Sequence, residues 1–341
     1  MNRRRKVTLK TIAEHMNLSH TTVSKALRDG SDISKETCAR VKKVAKELGY
    51  RPNLMARTLK NHCSHLLGVI VPDLRISFYS EAARGIYERA RSQGYVAIIM
   101  VNDENPDTER SNLEFLADWR VDGLLINPAP GKQNYDLLTR LAEEGMPIIC
   151  YDRRLDELNF SSVTIDDVKA ASILTSQLIE DGCRDIVYLG PRTSISVVED
   201  RFEGYKQALQ AHDIPVADEN IVHCELYRES SYKAMAATLQ KGHPIDAVVC
   251  VGGLVAMGAG QAIMSSKRRI PDDIALAEFG DNNIVSRLGV PFYTINQNPH
   301  LMGSKAVDLL MDTIHEEAKE RHEIIDAKLL YRSINTVEVD A

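Results

Sequence analysis

The chain has 341 residues, 44% of them apolar and 26% charged. That is enough to bury several cores and too ordinary a mixture for a disordered or fibrous protein. The run Leu66–Val71 is far short of a bilayer span, and the basic start Arg3–Arg4–Arg5–Lys6 has no apolar stretch behind it, so neither a membrane segment nor a secretory signal is expected.

The net charge of −6 is the sum of two unlike parts. Residues 1–65 hold 15 Lys and Arg against 5 Asp and Glu, a net of +10, whereas the remainder holds 27 against 43, a net of −16. A basic head on an acidic body points to a polyanion-binding module joined to one that binds no polyanion.

Three short helices are predicted in the head. Leu9, Ile12, Ala13 and Met16 recur at i, i+3, i+4 and i+7, with Thr8 placed to cap the first turn. Ser19 is a good N-cap for a second helix over 20–28, whose Val23, Ala26 and Leu27 share a face. After a turn at 29–32, Ser34 caps a third helix with Cys38, Val41, Val44, Ala45 and Leu48 on one side, and Gly49 and Pro52 stop it. Three small helices with a tight break between the first two form a helix-turn-helix. The second helix keeps His20, Thr21, Thr22, Ser24 and Lys25 out of the core. In this arrangement the start of that helix enters the major groove. Lys25 can donate to guanine, His20 and Thr21 can donate or accept, and Thr22 and Ser24 suit phosphate.

From Leu66 onward, strand-like runs at 67–71, 95–101, 123–126, 147–151, 186–189, 247–251 and 274–279 alternate with amphipathic stretches such as 81–93, 170–181, 202–212 and 255–264. This is the pattern of an α/β protein with a mainly parallel sheet, and its length calls for two consecutive doubly wound lobes. No internal sequence repeat is visible.

The six cysteines form no CxxC pair, which fits a reducing cytoplasm. His62–Cys63–Ser64–His65 offers donors without the paired spacing of a zinc site. The run 253–258 has the glycines of a phosphate loop, but Ala259–Gly260 stand where it needs Lys and Ser or Thr. With no GxSxG or HExxH either, no catalytic activity, metal or cofactor is expected.

The stretches "VTLKTIAEHMNLSHTTVSKAL" and "GYRPNLMARTLK" resemble the DNA-binding head of the lactose-repressor/galactose-repressor (LacI/GalR) family of bacterial transcription regulators. The resemblance implies a helix-turn-helix domain at 1–52, a hinge helix and linker at 53–64, and an effector-binding and dimerisation core at 65–341. In that family two hinges, one per subunit, enter the minor groove together. By that match Leu59 pries open the central base step, Ala56 packs beside it and Lys60 reaches the groove floor or phosphates, with Asn53 and Thr8 among the DNA-contacting positions. Unstacking costs a few kcal/mol, offset by contacts on the bent duplex.

The body is similar to that family's core and to periplasmic sugar-binding proteins, through "LLGVIVPDL", "FYSEAARGIYERARSQGY", "MPIICYDRR", "DRFEGYKQAL", "VAMGAGQAI" and "IPDDIALAEFGD". The resemblance implies a lobe at about 65–165 plus 296–324, a second at about 166–295 plus 325–341, and a ligand cleft between them. By motif position Phe78, Asp152, Arg153, Asp166 and Arg201 are implied cleft residues. Two departures matter. Gly252–Gly253 stand where the family commonly has Asn-Asp, and Glu278–Phe279–Gly280 where it has Gly-Phe-Asp, with Asp281 following and kept as a candidate contact. Losing two carboxylates beside Arg153 and Arg201 suggests a more positive cleft and an effector such as a sugar acid. The expected protein is a cytoplasmic homodimeric repressor on a palindromic double-stranded DNA operator, its affinity set by a sugar or sugar-acid effector. The alternative is an effector-independent DNA-binding protein with a vestigial sugar-binding body. No leucine heptad follows the last strand, so a dimer is expected rather than a tetramer.

Overall fold

The apolar spacing of the head builds α1 (Leu9–Met16), α2 (His20–Ala26) and α3 (Lys35–Glu47) in a computed structural model that describes residues 7–27, 32–50, 63–193, 195–280, 285–315 and 321–333. Each helix starts on a side-chain cap. The Thr8 hydroxyl accepts the Thr11 N–H at 3.2 Å while the Thr11 hydroxyl accepts that of Thr8. Ser19 accepts the Thr22 N–H at 3.0 Å and Ser34 that of Thr37 at 3.2 Å. Asn17 ends α1 in the left-handed region (φ 54°), which asparagine tolerates, and so makes the tight break possible. Helix α2 is shorter than its periodicity suggests, because Leu27 closes it. Ile12, Val23 and Val41 are fully buried among Ala13, Ala26, Cys38 and Ala45; burying each of the three large side chains is worth about 1.5–3 kcal/mol. The expected hinge residues Asn53, Ala56, Leu59 and Lys60 lie outside the described residues.

The chain divides into two units, Met1–Ser64 and His65–Ala341. The second holds two six-stranded sheets. One is built from β1 (Leu66–Val71), β2 (Val96–Val101), β3 (Gly123–Ile126), β4 (Ile148–Tyr151), β5 (Ser161–Ile165) and β11 (His322–Ile325), in the order β11-β5-β4-β3-β1-β2 and parallel throughout. The other is built from β6 (Ile186–Gly190), β7 (Ile221–His223), β8 (Ala247–Cys250), β9 (Ala275–Phe279), β10 (Phe292–Asn296) and β12 (Lys328–Arg332), in the order β12-β10-β9-β8-β6-β7. Only its β10–β12 pair is antiparallel.

The two sheets share one strand order, a repetition of topology that the sequence does not show. Strands β1, β3, β4 and β8 are apolar on both faces because helices cover both faces. The short β7, and β10 with its alternating Phe-Tyr-Thr-Ile-Asn, lack that continuous run and escape the sequence reading. Helices α4 (Ser77–Ser92), α5 (Pro106–Asp118), α6 (Tyr135–Glu143) and α11 (Pro299–His315) belong to the first lobe; α7 (Asp167–Glu180), α8 (Ser196–Ala211), α9 (Arg228–Gln240) and α10 (Gly253–Ser265) belong to the second. The chain therefore passes between lobes three times: from β5 to α7, from β10 to α11, and from β11 to β12. Among the described residues no helix is long and apolar enough to cross a membrane.

Helices α4 and α11 meet through glycine. A Cβ on Gly303 would lie 2.1 Å from the Ala82 carbonyl oxygen, and one on Gly85 would lie 2.1 Å from that of His300. Gly303→Ala gains about 1 kcal/mol of helix propensity, but the clash is with backbone and overpacking costs about 1–3 kcal/mol. A net loss of stability is expected, read as a lower urea midpoint with unchanged slope.

Candidate functional site

The head presents a polar surface on α2. His20 and Thr21 are exposed at its first two positions, whereas the Thr22 hydroxyl is shared with Ser19 at 2.8 Å. Lys25 is ion-paired with Asp32, whose carboxyl is held below its usual range mainly by that hydrogen bond. Both partners are about half exposed, so solvent and salt screen the pair and it adds little to stability. Lys25 is therefore released to a stronger acceptor at little cost. The Thr8 hydroxyl is engaged in the α1 cap. Arg40, Lys43 and Lys46 are exposed on α3; only their charge, not a motif, marks them in the sequence.

The body carries a cavity of about 870 Å³ between the C-terminal ends of its two sheets, the place where open α/β sheets receive ligands. The first lobe contributes the loop after β1, Phe78 and Tyr79 on α4, Glu104 after β2, and Asp152 and Arg153 after β4. The second contributes Arg192 after β6, Arg201 on α8, the stretch after β7, Gly252–Gly253 after β8, Phe279 and Gln297.

Phe78 and Tyr79 are nearly buried and meet edge to face, 5.2 Å between centroids. Asp152 sits in the left-handed region (φ 63°), and its carboxylate accepts Asn127 Nδ2 at 2.9 Å. Burial raises its pKa, with Arg201 and Arg153 opposing. Arg153 donates to both carboxylate oxygens of Glu104 at 2.7 and 2.6 Å, to the Pro128 carbonyl at 2.9 Å and to the Tyr79 hydroxyl at 3.1 Å. Arg201 donates from Nε to Asp167 at 2.7 Å, from Nη1 to the Val251 carbonyl at 2.7 Å and from Nη2 to Gln297 Oε1 at 2.8 Å. Its guanidinium carbon stands 4.2 Å from the Phe279 ring centre.

Asp166 does not belong to this cavity. It is exposed and caps α7, accepting the Lys169 N–H at 2.9 Å; the next residue, Asp167, turns inward at the first helical position and takes Arg201. Both aspartates are visible in the sequence, but only packing distinguishes the cap from the buried partner. Asp281 lies outside the described residues.

The expected excess of positive charge is also absent among the described lining residues. Arg75, Arg153, Arg201 and Arg228 pair with Asp73, Glu104, Asp167 and Glu229, leaving Arg192 as the one lining arginine without a carboxylate partner. Carboxylates remote in the sequence, Glu104 and Asp167, neutralise Arg153 and Arg201 in place of the missing family aspartates.

Residues 64–333 match the family model for periplasmic binding proteins and the sugar binding domain of the LacI family, and residues 8–53 match that for bacterial regulatory proteins of the lacI family. The chain belongs to the LacI family. It is a transcription regulator with a DNA-binding helix-turn-helix head. It is 30% identical over 320 residues to the HTH-type transcriptional repressor PurR of Histophilus somni, covering 94% of this chain and 95% of that one. Among solved structures it resembles the lac repressor dimer bound to operator and the anti-inducer ONPF (25% identity, TM-score 0.85, 96% of this chain and 98% of that one). It also resembles the complex of the transcriptional regulator CelR with cellobiose (25% identity, TM-score 0.72, 95% and 98%).

Proposed function

We propose that this LacI-family regulator represses transcription as a homodimer on a palindromic operator, and that a neutral carbohydrate in the inter-lobe cavity sets its operator affinity. Twofold assembly follows from the reader itself, since one helix-turn-helix covers only a few base pairs and two half-sites demand two heads. His20, Thr21 and Lys25 are the base-reading candidates; Thr8, Thr22, Ser24 and the sequence-assigned Asn53, Ala56, Leu59 and Lys60 position the protein or deform the duplex.

The observation that carries the effector class is the pairing of the cavity arginines. A guanidinium already matched to a carboxylate attracts an anion weakly, yet Arg201 keeps two N–H groups that can donate to hydroxyls. Asp152 adds an acceptor for hydroxyl protons, and Phe78 a flat apolar wall. A neutral polyol satisfies these groups better than the sugar acid expected from the sequence. The cavity also has room: a Cβ on Gly252 would meet nothing within 4 Å, and the related regulator CelR is known with a disaccharide.

The test is operator affinity by fluorescence anisotropy, with and without ribose, glucose, cellobiose, gluconate and glucose 6-phosphate. A neutral sugar is expected to change the dissociation constant by about 5- to 150-fold. A response confined to the two anions would overturn the neutral reading. No response to any of them, with operator binding intact, would favour an effector-independent protein.

A further inference from the structure

We infer that Asp167, Arg201 and Gln297 form a strap that couples the cavity to the orientation of the lobes, with Asp167 a positioning residue that never touches the effector. The inference rests on the effector reading above and deepens it. Asp167 is the first residue of α7, at the end of the crossover from β5; Gln297 directly follows β10, at the start of the crossover to α11. Arg201, from α8, bonds to both at 2.7 and 2.8 Å, and its third bond holds the Val251 carbonyl at the end of β8.

A guanidinium is planar, and its donors point in fixed directions. It cannot keep all three partners if either crossover rotates, and Phe279 beneath it prevents the plane from tilting freely. The same side chain lines the cavity, with two of its five N–H donors left over for a ligand. An effector oxygen bonded there loads the rigid piece that sets two of the three crossovers. Asp167 does not line the cavity, and its side chain is 1% exposed. It acts on the ligand only through Arg201. Domain closure about a few element-terminal residues is the bistable step to which such a device couples.

Asp167→Asn keeps the shape and removes the charge. Met235→Ala, in the buried core of α9 away from the crossovers, serves as a destabilised control. In the full-length protein, with whichever of ribose, glucose or cellobiose shifts wild-type operator binding most, Asp167→Asn should leave sugar affinity within about threefold and reduce the sugar-induced change in operator affinity to about threefold or less. Without sugar, amide exchange at 165–169 and 296–298 should be about tenfold faster than in either wild type or Met235→Ala. An undiminished sugar effect, or crossover exchange no faster than in Met235→Ala, would overturn the strap. A parallel loss of sugar affinity would do so too, by making Asp167 part of the binding site. If no sugar acts on the wild type, the effector reading fails by itself and the exchange measurement still decides whether the strap holds the crossovers.

Discussion

Arg201→Met is expected to destabilise the protein by about 3–5 kcal/mol, the usual cost of removing one partner from a buried ion pair. Asp167 and Asp152 would both remain buried, and among the described residues neither has another cation as close as Arg201 is to Asp167. Asp167 is pushed up to about 7 by burial even with Arg201 opposing, and the Asp152 and Asp200 carboxylates add to the rise. A carboxyl raised in the folded state contributes stability that is fully present below its ordinary value of 3.8 and is lost as pH rises through the folded value, here about 7. Without Arg201 that value moves higher still. The loss should therefore be larger in urea titrations at pH 8.5 than at pH 5.5, where protonation relieves the stranded charge. Adding Asp167→Asn to Arg201→Met should recover part of the loss, since removing both members of a buried pair is far milder than removing one. Equal losses at the two pH values would show that Asp167 is not the group left stranded.

Lys25→Ala is expected to be nearly silent for folding and severe for DNA. The Lys25–Asp32 pair is exposed and screened by solvent, so its loss costs little stability. A good base contact is worth about 1–3 kcal/mol, and a dimer makes it twice, so specific binding should fall by roughly 2–6 kcal/mol, from about 30-fold to more than 10⁴-fold. Anisotropy titrations against single-base operator variants locate the effect: preference should relax at one symmetric pair of positions and persist elsewhere. A uniform loss on every sequence, with a shallower salt dependence, would make Lys25 a phosphate contact instead.

What could be read directly from the residues is what depends on short stretches of chain. The caps at Thr8, Ser19 and Ser34 and the apolar spacing of Ile12, Val23 and Val41 each lie within one or two helical turns, so local propensity and periodicity suffice for the helix-turn-helix. Fully buried strands such as β1 and β8 announce themselves as continuous apolar runs, whereas β7, β10 and β12 are short or mixed and acquire strand structure only by pairing with a neighbour. Phe78, Asp152, Arg153 and Arg201 were identifiable from motif position and do converge on one cavity. Glu104 and Gln297 carried no motif weight and line it as well, while Asp167 stands behind Arg201 outside the lining.

The class of fold, the split between a +10 head and a −16 body, and the helix-turn-helix surface follow from composition or from neighbours along the chain, and so are legible in the sequence alone. Tertiary structure alone decided the chemistry of the cavity. Arg153 meets Glu104 from 49 positions away, Arg201 meets Asp167 from 34 and Gln297 from 96. Whether an arginine offers positive charge to a ligand or spends it on a buried carboxylate depends on distance through space and on the water excluded around the pair, and neither is encoded in spacing along the chain.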